Sequence, residues 1–371
     1  MKTKQFNDSV TLSRLGYGDM RLPREGDASG GPIDYPRAKA IVDACHRAGV
    51  NYFDTAFIYH EGNSERFLGE ALSQYPRDSF YVADKYNIWA EPDGRKQFAE
   101  QLERLQMDRI DFYMLHGISD DTAEGYLTNG ALEYFLEEQQ RGRIGYLGFS
   151  FHGRTEVLET LLNHRKWDFV QLQVNYYDCF FGPAKEHYEM VTARGIPVFV
   201  MEPVHGGMLA SLTEDGNALL KAAAPDKSIA SWALRFVMDL PNVGIVLSGM
   251  STMDQTVDNL ATAAEGKPLN AADHARIEQV AAMLHKTVAV PCTACRYCCD
   301  DCPQGLDIPM LLEMYNEFKL GGAWRLARMN GLPPEQQPGA CIQCGVCVSH
   351  CPQGIDIPAC MREMAALLAN D

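Results

Sequence analysis

This chain of 371 residues has no apolar run as long as a bilayer span, no surplus of basic residues, no apolar leader at its start, and no G-x-G-x-x-G opening a helix. Each absence removes a class. A membrane-crossing helix needs about 20 predominantly apolar residues in a row, so a spanning protein is not expected. With 33 Lys and Arg against 49 Asp and Glu, the formal charge is −16. Nucleic acid and anionic membrane surfaces both select basic patches, so neither is an expected partner. The start, MKTKQFNDSV, lacks the apolar core of a secretory signal, which points to the cytoplasm and away from structural disulfides. Without a glycine-rich strand-to-helix turn, a dinucleotide site of the doubly wound kind is not expected, and no flavin motif is legible.

What the chain does have is concentrated cysteine. Cys292, Cys295, Cys298 and Cys302-Pro303 read C-x2-C-x2-C-x3-C-P, and Cys341, Cys344, Cys347 and Cys351-Pro352 repeat it 49 residues later. The tails nearly coincide, CPQGLDIP (302–309) against CPQGIDIP (351–358). This is the spacing of bacterial two-cluster ferredoxins, in which the first three thiolates wrap one [4Fe–4S] cubane and the fourth ligates the other. The pattern assigns Cys292, Cys295, Cys298 and Cys351 to one cluster and Cys341, Cys344, Cys347 and Cys302 to the second. Zinc prefers two pairs rather than triplets closed by Cys-Pro and fits poorly. Cys299 is an alternative third ligand, but the second run matches Cys298. Cys45, Cys179, Cys299 and Cys360 are otherwise spare or buried thiols.

A chain of this length should hold more than one domain. Before residue 290, β-rich runs alternate with amphipathic helical stretches. The strand candidates are RLGYGDMRL (14–22), VNYFDTA (50–56), SFYVADK (79–85), RIDFYMLH (109–116), RIGYLGFS (143–150), DFVQLQVN (168–175), IPVFVMEP (196–203) and NVGIVLSG (242–249). Helical patterns lie between them, with Gly49, Gly142 and Gly195 placed as helix C-caps. Eight strand–helix units in this length predict an α/β fold, a (β/α)8 TIM barrel over 1–268. A connecting helix over 269–289 then leads to a small ferredoxin-like domain over 290–371. There, 310–329 reads as helix, 331–340 as loop and 358–370 as a last helix.

In such barrels, reacting groups gather at the C-terminal ends of strands. Strand two ends in Asp54 with Tyr59 five residues on, strand three in Lys85, and strand four in His116. Asp54 can hold Lys85 against Tyr59, and a nearby ammonium makes a phenol more acidic. His116 can orient a carbonyl oxygen while Tyr59 protonates it. Each residue alone reads more readily as a rim cap; together they point to catalysis. His60, His152 and His205 also follow strand ends, but without paired ligand spacing they read as loop contacts rather than a metal site.

The stretch NYFDTAFIYHEGNSERFLGEAL (51–72) resembles the signature of the aldo-keto reductase superfamily, over roughly residues 10–265. The resemblance implies that Asp54, Tyr59, Lys85 and His116 are the catalytic tetrad and that NAD(P)H binds in extended form. It further implies that Ser150 and Gln173 hold the nicotinamide amide, and that Gly249, Ser251 and Asn259 in SGMSTMDQTVDN (248–259) serve the phosphate and adenosine end. Phe151 replaces the usual Asn, Met201 stands where an aromatic often stacks, and Met250 and Gln255 stand where a 2′-phosphate usually meets Lys or Arg. The whole chain resembles the branch of that superfamily with a fused ferredoxin-like domain.

Nicotinamide passes a hydride, whereas a cubane passes single electrons. Three readings follow: a carbonyl–alcohol oxidoreductase whose clusters exchange electrons with a ferredoxin-like or flavin redox partner; an NAD(P)H-dependent reductase with purely structural clusters; and an electron-transfer or redox-sensing protein whose barrel only binds a ligand. The first is the reading favoured, because duplicated clusters exceed what a structural staple requires.

Overall fold

The structure, a computed structural model, describes residues 1–27, 31–286, 289–321 and 329–369. It divides into two compact units, Met1–Pro203 with Asp226–Ala275, and Val204–Pro225 with Arg276–Asp371.

The first unit opens with an antiparallel hairpin, β1 (Thr3–Gln5) and β2 (Thr11–Ser13), which the sequence did not announce. Eight parallel strands follow: β3 (Leu15–Gly18), β4 (Tyr52–Asp54), β5 (Tyr81–Tyr86), β6 (Ile110–Ile118), β7 (Ile144–Phe151), β8 (Phe169–Gln173), β9 (Val198–Met201) and β10 (Val243–Ser248). They close in the order β10-β3-β4-β5-β6-β7-β8-β9, so each predicted strand run is a barrel strand. Gly49, Gly142 and Gly195 have φ of 87°, 76° and 66°, the left-handed geometry that ends a helix cheaply only at glycine.

The barrel interior is filled by rings. Tyr52, Phe112, Phe169 and Phe199 are fully buried, and Phe6 from the hairpin turn meets Phe112, Tyr146 and Phe199 edge-on, with centroids 4.9–5.7 Å apart. Gly16 is closely packed as well, since a Cβ there would lie 2.9–3.1 Å from the side chains of Leu247, Ile245 and Tyr52. Outside the barrel, the helix Asn63–Leu72 brings Gly69 against the end of the helix Gly94–Leu105. A Cβ there would sit 2.4 Å from the Leu105 carbonyl oxygen. Gly69→Ala is therefore expected to destabilise the chain by about 1–3 kcal/mol, read as a lowered melting temperature by circular dichroism.

In the second unit, the sequence repeat becomes a structural one. Ala294, Arg296 and Gly305 have φ of 53°, 71° and 61°; their counterparts Gln343, Gly345 and Gly354 have 59°, 78° and 62°. The turns Tyr297–Asp300 and Val346–Ser349 and the helices Ile308–Gly321 and Ile357–Ala369 recur in step. One core takes equivalent residues from both copies: Cys298 and Cys347, Leu306 and Ile355, Ile308 and Ile357, Leu312 and Met361, Tyr315 and Met364. Of the predicted helix over 310–329, residues 322–328 lie outside the described residues. So do residues 28–30 and Asn370 of the last helix. Among the described residues, no helix is long and apolar enough to cross a membrane.

Candidate functional site

Pairing of β4 with β5 and of β5 with β6 puts Asp54, Lys85 and His116 at one end of the barrel. All three are buried. The Lys85 ammonium donates to Asp54 Oδ1 at 2.6 Å and to the Thr55 carbonyl at 2.5 Å. Its Nζ stands 4.8 Å from the centre of the Tyr59 ring. The His116 imidazole meets the same ring edge-on, with centroids 5.7 Å apart and planes at 80°. The four residues are thus linked, Asp54 to Lys85, and Lys85 and His116 each to the Tyr59 ring.

Supports lie behind them. Gln101 donates to the Lys85 carbonyl at 3.0 Å and Tyr126 to the His116 carbonyl at 2.7 Å. Next to Lys85, Asp84 accepts its backbone amide at 2.8 Å, and Glu65 accepts Arg104 at 2.8 Å. Burial, and the facing Glu65 charge, push the Asp84 carboxyl well above the usual carboxylate range. The two carboxyls face each other between strand and helix. Past Tyr59, the chain turns sharply through His60, Glu61 and Gly62, with φ of 51°, 59° and 79°. Two non-glycine residues in that region cost about 1–3 kcal/mol each, a cost tolerated where a site fixes the geometry.

Electrostatics follow from burial. Desolvation, then the Lys85 charge, and then His152 drive the His116 pKa well below its ordinary value, so His116 enters neutral and its ring N–H is a donor. Burial lowers His152 to about 4 and, with Arg24, lowers His60 to about 4. Desolvation raises Asp54 above its ordinary value, against the opposing pull of Lys85. As pH falls through that raised value, Asp54 takes up a proton and Lys85 loses its counter-charge. The acid limb of the pH–rate profile should therefore lie above the ordinary Asp value of about 3.9, and Asp54→Asn should abolish it in a steady-state pH series.

The residues expected to hold a nicotinamide cofactor fall in three places. Ser150 sits on β7, where its hydroxyl oxygen accepts the Gly117 amide at 2.7 Å and its hydrogen remains for an acceptor. Gln173, at the end of β8, donates to Asp178 at 2.7 Å. Beyond β10, Ser251 donates to the Arg21 carbonyl at 2.6 Å, Gly249 packs on the Arg21 stem, and Asn259 donates to Ser248 at 3.1 Å. The helix Met253–Glu265 opens there with a capping box of Thr252 and Gln255, and a helix N-terminus favours an anion. The barrel mouth suits a polar cofactor: among buried polar atoms, Asp54 Oδ2 and Gln171 Oε1 lack a hydrogen-bond partner. Sequence reasoning missed Gln171 and Arg21. Arg21 pairs with Glu202 at 3.4 Å and brings a cation to the helix start that the 248–259 segment lacks.

In the second unit, Cys292, Cys295, Cys298 and Cys351 line one pocket. Cys302, Cys341, Cys344 and Cys347 line another. Each pocket takes three thiols from one run and the fourth from the other. Among the described residues, no three His, Cys, Asp or Glu side chains close around a single metal ion. A cubane presents four separate irons, and its ligands are correspondingly spread. The donor set and the pocket lining fit such a group.

Residues 14–282 match the model of the aldo/keto reductase family, and 291–355 that of a 4Fe-4S dicluster domain. An uncharacterized oxidoreductase, YqkF of Bacillus subtilis, is 27% identical over 71% of this chain and 90% of its own. The NADH-specific methylglyoxal reductase of Escherichia coli is 26% identical over 68% and 90%. Among solved structures, the holo form of aldo-keto reductase AKR11C1 from Bacillus halodurans is 29% identical. It covers 76% of this chain and 96% of its own, with a TM-score of 0.62. An aldo-keto reductase from Klebsiella pneumoniae in complex with NADPH, 20% identical with a TM-score of 0.61 over 75% and 94%, shares the fold.

Proposed function

Because this chain belongs to the aldo/keto reductase family and carries a 4Fe-4S dicluster domain, we propose that it interconverts a small carbonyl compound and its alcohol with NAD(P)H, while two [4Fe–4S] clusters exchange electrons with a redox partner. The observation that carries the first part is the Lys85 ammonium, held by Asp54 and set against the Tyr59 ring beside a neutral His116.

In this reading, the substrate oxygen lies between the Tyr59 hydroxyl and the His116 ring. His116 donates a hydrogen bond that fixes the carbonyl and favours the developing negative oxygen. NAD(P)H, when bound, would supply a hydride. Tyr59 gives its proton to the oxygen, and Lys85 places positive charge beside the phenolate left behind. Asp54 keeps Lys85 in place. Ser150 and Gln173 would hold the nicotinamide amide. Gly249, Ser251 and Asn259, with Arg21 and the amides of the helix at Met253, would hold the phosphates and adenosine.

The eight thiols would hold the clusters with crossed ligation, Cys351 joining Cys292, Cys295 and Cys298, and Cys302 joining Cys341, Cys344 and Cys347. The two pockets support that pairing. Residues 1–268 form the reductase part in this reading and 290–371 the cluster part, joined by 269–289, in a cytoplasmic protein. Anaerobic mixing of holoprotein with NADH or NADPH and a panel of carbonyls tests the proposal. Turnover of no carbonyl refutes the reductase assignment. Bleaching of the iron–sulfur absorption by NAD(P)H is the expected sign that clusters and nicotinamide communicate.

A further inference from the structure

Two fully buried carboxyls lie directly behind Lys85 and take no part in the chemistry at Tyr59. Asp84 precedes Lys85 on β5, and Glu65 sits in the first turn of the helix Asn63–Leu72. Their side chains are in hydrogen-bonding contact, yet Asp84 Oδ2 and Glu65 Oε1 have no donor. An ionised carboxylate only accepts, so two of them in contact need a hydrogen between them. The surroundings decide which one is ionised. Glu65 Oε2 accepts Arg104 Nη1 at 2.8 Å, and the positive end of its helix favours an anion. Asp84 meets a backbone amide instead, that of Lys85 at 2.8 Å. Burial, then the Glu65 charge, raise its pKa well above the usual carboxylate range. The other titratable groups facing the pair are Lys85, beside Asp84, and Tyr113 on β6.

Arg104 ties this pair to the segment that carries Tyr59. Its guanidinium stands 4.3 Å from the centre of the Phe57 ring. It also lies against Gly62, where a Cβ would come within 2.7 Å of Nη1. Phe57 and Gly62 bracket Tyr59 in sequence. On its more exposed side, Arg104 meets Glu100 at 3.2 Å. A second link runs alongside: Ser64 Oγ bonds Thr55 Oγ1 at 2.7 Å, and the Thr55 carbonyl accepts Lys85 Nζ. The strand that carries the ammonium and the loop that carries the phenol are thus fastened to each other through one helix start.

We propose that Asp84 and Glu65 share one proton and, with Arg104, form a clamp that sets the distance between Lys85 and the Tyr59 hydroxyl. All three are positioning residues, and the proposal rests on the reductase reading above. The proton stays on Asp84, which donates to the Glu65 carboxylate. The pair then carries one negative charge, and Arg104 balances it. Loss of the proton as pH rises puts two carboxylates face to face and works to part strand from helix. Because Asp84 holds its proton more tightly folded than unfolded, the stability it contributes is full at low pH. That stability declines as pH rises towards the raised value.

The test uses full-length holoprotein with Asp84→Asn and Glu65→Gln. Asparagine keeps a donor towards Glu65, so Asp84→Asn should hold kcat for carbonyl reduction within threefold. Glu65→Gln leaves Arg104 uncompensated and should lower kcat at least tenfold, with KM for NAD(P)H within twofold. It should also move the basic limb of the kcat profile at least half a pH unit higher. A phenol further from its ammonium gives up its proton less readily, whereas a merely structural loss would leave that limb in place. Thermal melts supply a readout free of activity. The melting temperature of wild type relative to Asp84→Asn should fall between about pH 5 and about pH 8. If Glu65→Gln does not fold, Arg104→Lys decides, since it keeps the charge but not the planar fork. The same limb shift and at least a threefold loss of kcat are then expected. A tenfold loss in Asp84→Asn, an unmoved basic limb, or a melting difference that does not fall with pH overturns the proposal. Absence of carbonyl turnover by wild type overturns the reductase reading instead, and the melts then judge the shared proton by themselves.

Discussion

Tyr59→Phe is expected to lower kcat for carbonyl reduction by about 10²–10⁴-fold, the usual share of a positioned general acid, with little change in NAD(P)H affinity. The ring is what Lys85 and His116 pack against, and phenylalanine keeps the ring while deleting only the proton donor. Packing and cofactor binding should therefore survive, and the loss should fall on the chemical step. Lys85→Met should give a loss of similar order for a different reason. It removes the ammonium beside the phenol and strands the Asp54 carboxylate, which is buried and bonded to Lys85 at 2.6 Å. Breaking a buried pair from one side leaves an uncompensated charge, at about 3–5 kcal/mol. Lys85→Met should thus also lower the melting temperature, whereas Tyr59→Phe should not. Single-turnover kinetics and thermal melts on the two variants separate these effects; full turnover by Tyr59→Phe would remove the phenol from the mechanism.

The second large effect concerns iron. Cys302→Ser should reduce the iron content from about eight to about four per chain, by loss of the cluster whose other ligands are Cys341, Cys344 and Cys347. The residual paramagnetic resonance spectrum should match that of Cys344→Ser and differ from that of Cys295→Ser. Cys351→Ser should show the reverse pairing. The pockets motivate this: Cys302 lines the one built by the second run and Cys351 the one built by the first. If each run instead ligated its own cluster, Cys302→Ser would resemble Cys295→Ser, and crossed ligation would be wrong.

The barrel was legible because its signals are periodic and local. Each strand run was short, apolar and β-branched or aromatic, and glycines at 49, 142 and 195 marked helix ends. The tetrad was legible because barrel topology turns a position in sequence, the end of a strand, into a position in space. Other features lacked such a signal. The hairpin β1–β2 is two three-residue strands, too short for alternation to register. Arg21 and Gln171 looked like any polar residues near a strand. Their placement depends on which segments meet across the barrel mouth, as when Arg21 meets Ser251, and such long-range contacts leave no local trace. Asp84 and Glu65 were silent for the same reason, since their carboxyls face each other only once strand and helix are brought together. The cysteine spacing assigned ligands but said nothing of exposure. That Cys344 is exposed while its counterpart Cys295 is half-buried comes from packing that the two repeats do not share.

Residues 204–225 follow β9 of the barrel in sequence, yet fold as one compact unit with residues 276–371. Gly206 lies against Thr293, and His205 and Leu209 are buried. The reductase half is therefore not a cassette that ends where the cysteines begin. A gene trimmed at codon 289 would keep that excursion but discard Thr293, against which Gly206 lies. Anyone grafting the iron–sulfur portion onto another barrel must transplant the excursion as well.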